Sequence, residues 1–266
     1  MRSALTLSLC TAAIVLAGCG DDRSIGGAAP GGGLPTGSET VTLDPADFTT
    51  EVTNRYWPMK PGTRWTYRET GDSGDSARVV VTITGVTRKI ANGITARVVR
   101  DTVSSGGDVV EDTFDWYAQD AEGNIWYLGE DTAEFEDGQV ASREGSFEAG
   151  VDGALPGIAL PGSPVDGMRY RQEYRKGQAE DNGEVLSVDE QAQTPAGHYD
   201  DALLTKDTIT IEPDSMEYKL YAPHVGPVLA FGVSGERGQE ELLSVTQVSA
   251  DAAQQAGTAP LGQPYE

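Results

Sequence analysis

Phe114-Asp-Trp-Tyr-Ala-Gln-Asp-Ala-Glu-Gly-Asn-Ile-Trp-Tyr-Leu-Gly-Glu130 holds two of the chain's four tryptophans and reads as a β-hairpin. Phe114, Trp116 and Ala118 alternate with Asp115, Tyr117 and Gln119, the period of two that a strand with one buried face requires. Asp120-Ala-Glu-Gly123-Asn124 supplies the turn, since aspartate bonds backbone N–H groups ahead of it and Gly123 accepts a positive φ. Ile125-Trp-Tyr-Leu128 returns as the partner strand. Aromatic rings of this size carry a large apolar area, so the core is expected to grow from this hairpin.

The same grammar extends outward from it. Pro58 and Pro61-Gly62 break the chain before Trp65 and Tyr67 open a strand. Arg78 to Val86 is β-branched, Asn92-Gly93 marks a hairpin turn, and Ile94 to Val103 returns. No long run shows helical spacing, so the class predicted is all-β. The body also reads as a repeat. Gly62-Thr-Arg-Trp65 is echoed by Gly167-Met-Arg-Tyr170, and Arg100-Asp-Thr102 by Lys206-Asp-Thr208. Two related antiparallel meanders follow, residues 56–148 and 165–248 of a β domain spanning 43–250. They are expected to pack as a sandwich or a partly closed barrel, with Trp65 matching Tyr170 and Trp116 matching Tyr218.

Between the halves, Ala149 to Pro164 contains three prolines, which exclude a helix or a central strand. Leu155, Ile158 and Leu160 within it are spaced to pack. The segment is either a loop laid over the core or the lip of an apolar pocket, where Trp116 and Trp126 would join the three aliphatic side chains against a ligand.

The chain ends speak of export. Arg2 precedes the mostly apolar Leu5–Leu16, and Leu16-Ala17-Gly18-Cys19 closes the segment with small residues before a cysteine. This resembles the lipobox of bacterial lipoproteins, which implies a signal peptide over 1–18 and acylation of the Cys19 thiol by palmitate-type chains. A plain secretory signal would also end in small residues. Residues 19–42 are Gly, Pro, Ser, Thr and Asp with few large apolar side chains, a flexible tether, and 251–266 has the composition of a flexible tail. With Cys10 in the signal and Cys19 lipidated, no disulfide is available and the core alone must hold the domain. No second long apolar run predicts a transmembrane helix. Nineteen basic against 42 acidic residues give a net charge of −23, which keeps an exported domain soluble and repels nucleic acid and anionic headgroups.

The signals for chemistry are sparse. His198 and His224 both fall in turns and lack the spacing of a zinc site. No serine occupies a G-x-S-x-G elbow, and no Gly-rich loop opens a helix to cradle phosphate. No cofactor is expected. The one metal the turns suggest is calcium, at Asp120, Glu122 and Asn124, where oxygen ligands cluster. These residues fall short of an EF-hand loop, and Asp and Asn are ordinary turn formers.

Pro61-Gly-Thr-Arg-Trp-Thr-Tyr67, Asp115-Trp-Tyr-Ala-Gln-Asp120, Gly123-Asn-Ile-Trp-Tyr-Leu-Gly-Glu-Asp131 and Tyr221-Ala-Pro-His-Val-Gly226 resemble phrases of an uncharacterised group of exported bacterial lipoproteins. The resemblance covers roughly residues 56–248 and implies no activity. A looser architectural analogy is to envelope lipoprotein carriers, which fold an antiparallel sheet around an apolar cavity. The expectation is therefore a non-enzymatic cell-envelope lipoprotein, anchored to a bacterial membrane through its N-terminal lipid, that binds an apolar ligand or an envelope protein. The alternatives are a hydrolase of envelope polysaccharide and a structural spacer. Replacement of Cys19 by Ser should abolish incorporation of labelled palmitate and stop cleavage after Gly18; a Cys19→Ser protein that still takes up label would overturn the anchoring.

Overall fold

The computed structural model describes residues 33–71, 74–235 and 237–265. The signal peptide, Cys19 and the tether as far as residue 32 lie outside them. The first meander comprises β1 (Thr63–Thr70), β2 (Ser76–Lys89), β3 (Thr95–Ser105), β4 (Asp108–Gln119), β5 (Ile125–Glu136) and β6 (Gln139–Ser142). Two short strands follow, β7 (Phe147–Glu148) and β8 (Gly157–Leu160), and both pair with β5. The second meander comprises β9 (Arg169–Arg175), β10 (Ala179–Thr194), β11 (Gly197–Ile209), β12 (Glu212–Ala222), β13 (Gly226–Ser234) and β14 (Gln239–Gln247), and one helix, α1 (Ala250–Ala256), ends the domain. Strands β4 and β5 are the hairpin read from residues 114–130.

The protein is all-β and antiparallel. Its two meanders do not stack as separate sheets. They join edge to edge, because β1 pairs with β14, in a single 14-stranded sheet running from β6 to β9. The meanders share order and register. In the first, Arg64, Thr82, Arg100, Phe114 and Asp131 lie opposite one another in sequence across five strands. In the second, Arg169, Glu184, Lys206, Tyr218 and Phe231 do the same. The Gly62 N–H donates to Ile83 O and the Gly167 N–H to Val185 O, both at 2.8 Å. The residue matching Tyr218 is therefore Phe114, two positions before the expected Trp116; bulges in both hairpins blur this offset.

The sheet curls until its ends approach at β8 and β9. One bridge spans them, the Leu155 N–H donating to Tyr174 O at 2.8 Å, and no ladder closes the ring. Gly157 makes the approach possible, since a Cβ there would stand 2.0 Å from Gln172 O. Strand β8 corrects the reading that proline excludes a strand from this segment. Pro156 and Pro161 flank the four residues without interrupting them, and Ile158 and Leu160 are fully buried on β5.

The described end of the tether and the C-terminal segment both depart from the flexibility their composition predicts. Ser249 caps α1, which buries Ala253 and Ala256. The segment beyond it is drawn down by Arg100, which is fully buried on the outer face of β3. Its guanidinium donates to the carbonyls of Ala256, Ala259 and Pro260 at 3.1 Å each, forms a two-pronged ion pair with Asp112, and lies 4.1 Å from the Tyr265 ring centre. Asp112 accepts the Gly262 N–H at 2.7 Å. Arg171, also fully buried, gathers the tether's end: its backbone N–H donates to Pro35 O at 2.6 Å and its guanidinium to the carbonyls of Glu39 and Pro156, each at 2.8 Å. Truncating one member of a buried ion pair leaves the other charge uncompensated, so Arg100→Ala should cost about 3–5 kcal/mol in urea unfolding and raise hydrogen exchange across 250–265. A loss below about 1 kcal/mol would mean the tail docks without its clamp.

Candidate functional site: the acidic inner face

Side chains of one parity on each strand line the concave face. Trp65 and Tyr67 on β1 set it, opposite Val81 and Val79 on β2. Asp101 follows opposite Val81, and Ile83, Val99, Asp115 and Glu130 form the next row. In the second meander Glu240, Ala230, Lys219, Thr205 and Val185 lie opposite one another in order, and Glu240 faces Glu69 on β1. Apolar and acidic residues are thus mixed on a single face.

One end of this interior is aromatic and filled. Trp57, from the segment before β1, packs 5.3 Å from Tyr117 of the first meander and 6.0 Å from Tyr221 of the second. Tyr117 stacks on Tyr127 at 5.1 Å, and Tyr127 meets Phe147 edge-on. Asn54 holds the segment in place, its amide donating to the carbonyls of Gly123 and Pro161 at 3.0 Å.

The other end is acidic. Carboxylates from strands far apart in the sheet order influence one another, because the curl brings them face to face. Burial, then Glu240, Asp115 and Glu111, push Asp101 well above the carboxylate range. Burial, then Asp115 and Glu173, do the same to Glu130, with Tyr127 opposing through a hydrogen bond. Glu173, on β9 at the opposite end of the sheet, is raised by burial and by Asp181, against the pull of Arg175. Burial carries Asp181 to about 7 despite Lys219, and burial with Glu69 and Glu217 carries Glu240 to about 8. Burial would strip the proton from Lys219, but Asp207 at 2.8 Å and Glu217 at 3.0 Å outweigh it and keep the ammonium charged.

The residues singled out from sequence lie elsewhere. Trp116 is buried under the Arg88 guanidinium, 3.9 Å from its ring centre. Trp126 is buried, donates to Asp120 Oδ2 at 2.7 Å and meets Phe48 edge-on. Ile158 and Leu160 are core, and Leu155 makes the β8–β9 bridge. Of the five, Trp126 and Ile158 lie opposite one another in the β5–β8 ladder. Asp120 accepts the Asn124 N–H, the Asn124 amide and the Trp126 indole, so its oxygens are taken by turn formation. Glu122 is exposed beside it. Among the described residues no group of three or more His, Cys, Asp or Glu side chains is placed to hold a metal. His224 is exposed in a turn, whereas His198, expected in one, is exposed on β11 opposite Gln193. Sequence reading missed the inner-face acids, although the repeated basic-Asp-Thr step contains two of them, Asp101 and Asp207.

A raised carboxyl pKa has a definite sign in stability. The unfolded chain releases these protons near the ordinary values of 3.8 for Asp181 and 4.5 for Glu240, whereas the folded protein holds them to about 7 and about 8. The folded state binds more protons across that window, so stability falls as pH rises through it. Glu184, held low by its hydrogen bond from Lys206, acts in the opposite sense only at more acid pH. The thermal midpoint should therefore be higher at about pH 5.5 than at about pH 8.5, by a free energy on the order of a few kcal/mol. Glu240→Gln should flatten the profile, and a midpoint that is level or rises with pH would contradict the buried acids.

No family model matches the chain, and no curated protein does. Among solved structures it is similar to a protein from Bacteroides fragilis described as exported, with a YmcC-like fold, at TM-score 0.45 and 16% identity over 73% of this chain and 100% of that one. It is also similar to a protein from Parabacteroides distasonis described as a lipoprotein, at TM-score 0.42 and 12% identity over 73% of this chain and 99% of that one. Likenesses this distant carry no function across. Among the described residues no helix is long and apolar enough to cross a membrane.

Proposed function

We propose that this chain is a lipid-anchored, extracytoplasmic binding protein that performs no reaction on its ligand and holds it against the acidic inner face of the sheet. The observation that supports this is the convergence of Asp101, Asp115 and Glu130 with Glu173, Asp181, Asp207, Glu217 and Glu240, drawn from both meanders. Burying acids beside one another costs free energy, and apolar side chains would build the same shape more cheaply. Such a cost is characteristic of a site that meets a ligand. The filled aromatic end argues for a polar ligand in place of the apolar one expected from the sequence. A spacer has no need of the acids.

The hydrolase alternative would draw on a carboxylate pair, and Asp115 lies opposite Glu130 across the β4–β5 ladder. These residues are only 5% and 4% exposed, which favours a small polar ligand over a polysaccharide chain at that pair. Native mass spectrometry of the full chain, extracted from membranes in mild detergent, tests the binding reading. The expected result is a small non-covalent adduct of defined mass whose occupancy drops severalfold in Glu130→Gln. Adduct-free spectra, together with unchanged hydrogen exchange on β3, β5 and β12 in envelope extract, would favour the spacer.

A further inference from the structure

We infer that the second meander carries a site for a primary ammonium or a guanidinium group, formed by Tyr170, Asp181 and Asp207 on the inner face. The inference deepens the binding role proposed above and rests on it. Tyr170, Gly183, Asp207 and Glu217 lie opposite one another in order across β9, β10, β11 and β12. Gly183 is what lets this row work. A Cβ there would stand 2.4 Å from the Tyr170 ring, so the missing side chain allows the phenol to lie across β10. The ring is thereby placed near Asp207, Lys219 and Tyr221. Tyr170 is 1% exposed, yet its hydroxyl has no protein partner. Asp181 and Asp207 are each 8% exposed, and Oδ1 of each is likewise without a hydrogen bond. The other oxygen of Asp207 meets Lys219.

A buried polar atom without a partner is costly, and three in one patch mark a place for a ligand or ordered water. The charge around them selects the ligand. Glu173, Asp181, Asp207 and Glu217 surround the patch, and the cations among them are Lys219 and Arg175. An anion is repelled. The three oxygens match in number the three N–H donors of an ammonium group, and charge-assisted hydrogen bonds of this kind are strong. A bare metal ion is a poorer fit, given that the acids do not converge at metal-binding geometry. The Glu217 side chain is 21% exposed, which places the mouth of the site at this edge of the patch.

The same chemistry is offered by a free polyamine and by a basic side chain of a protein, and the two are separable. Calorimetry on the full chain in detergent would use spermidine, Nα-acetyl-lysine amide, and tetramethylammonium as a cation without N–H donors. Saturable binding of one spermidine points to a polyamine, whereas binding of the blocked lysine with weak spermidine binding points to a protein side chain. In either case tetramethylammonium should bind at least about tenfold more weakly, and Asp207→Asn should weaken the binding probe by about tenfold or more. Because Asp207 also pairs with Lys219, Tyr170→Phe is the cleaner variant. It should weaken binding severalfold without lowering the urea midpoint, since the hydroxyl it removes has no partner within the protein. Equal binding of tetramethylammonium, or a folded Tyr170→Phe protein that binds within about twofold of wild type, would overturn the site. No saturable binding of either N–H cation would mean ordered water only at these oxygens. That outcome overturns this inference and leaves the broader binding role standing, because a Glu130-dependent adduct of another chemistry would still support it.

Discussion

The pairing of β1 with β14 is the constraint on which the rest of this structure depends. Each meander is a run of local hairpins, but this ladder unites residues more than 170 positions apart, as in the Arg68–Glu241 ion pair. Loop-closure entropy grows only logarithmically with separation, so the long connection is affordable once the strands have formed. The Trp65 indole donates to Val225 O at 2.8 Å and the Tyr67 hydroxyl to Pro227 O at 3.1 Å, so β1 is fixed to the start of β13 as well. Without the ladder each meander would present an open edge and half an inner face. A fold joined this way has high contact order and should form slowly, after its hairpins.

Joining the meanders creates the electrostatic problem at the centre of the molecule. Asp101 and Glu240 stand on strands separated by β1 and β2 in the sheet, yet the curl brings their charges within influence of each other. The fold answers in two ways. Asp101, Glu130 and Glu173 are pushed toward the protonated form, and Asp207 and Glu217 are paired with a charged Lys219. Under the proposed binding role, cation uptake would be linked to proton release, since a cation entering this face lowers the cost of ionising its acids.

The two ends of the chain show one side chain replacing a whole layer of structure. Carbonyls from 256–260 and from 35–39 have no ladder to accept from, and buried carbonyls need donors. Arg100 and Arg171 supply them as forks of several N–H groups each. The cost of burying a guanidinium is offset at Arg100 by Asp112, and at Arg171 by the carbonyls of Glu39 and Pro156. Each clamp also covers the outer face of the strand beneath it. Strand β4 is likewise covered on both faces, Trp116 by Arg88 and Tyr117 by Trp57: the two are 3% and 5% exposed, where alternation alone predicts one face in water.

The amino-acid order by itself determined the strands, their turns and the shared plan of the two halves. Those features follow from local sterics: β-branched and aromatic residues at a period of two, and Asp, Asn and Gly where the chain reverses. Residues 114–130 form the hairpin that their alternation and turn residues predict for this reason, although both faces of β4 are buried and Asp115 with Tyr117 turns inward. Composition misjudged 157–160, the described end of the tether and the C-terminal segment, because their partners are β5, Arg171 and Arg100, remote in sequence. The acidic inner face was beyond local reading altogether. Each strand shows only one or two carboxylates among apolar neighbours, and a charge interacts through distance and dielectric, not through position along the chain. Only the curl of the completed sheet places Glu130 near Glu173, and only the register of β9, β10 and β11 places Tyr170 over Gly183 beside Asp207, where ordinary acids become buried.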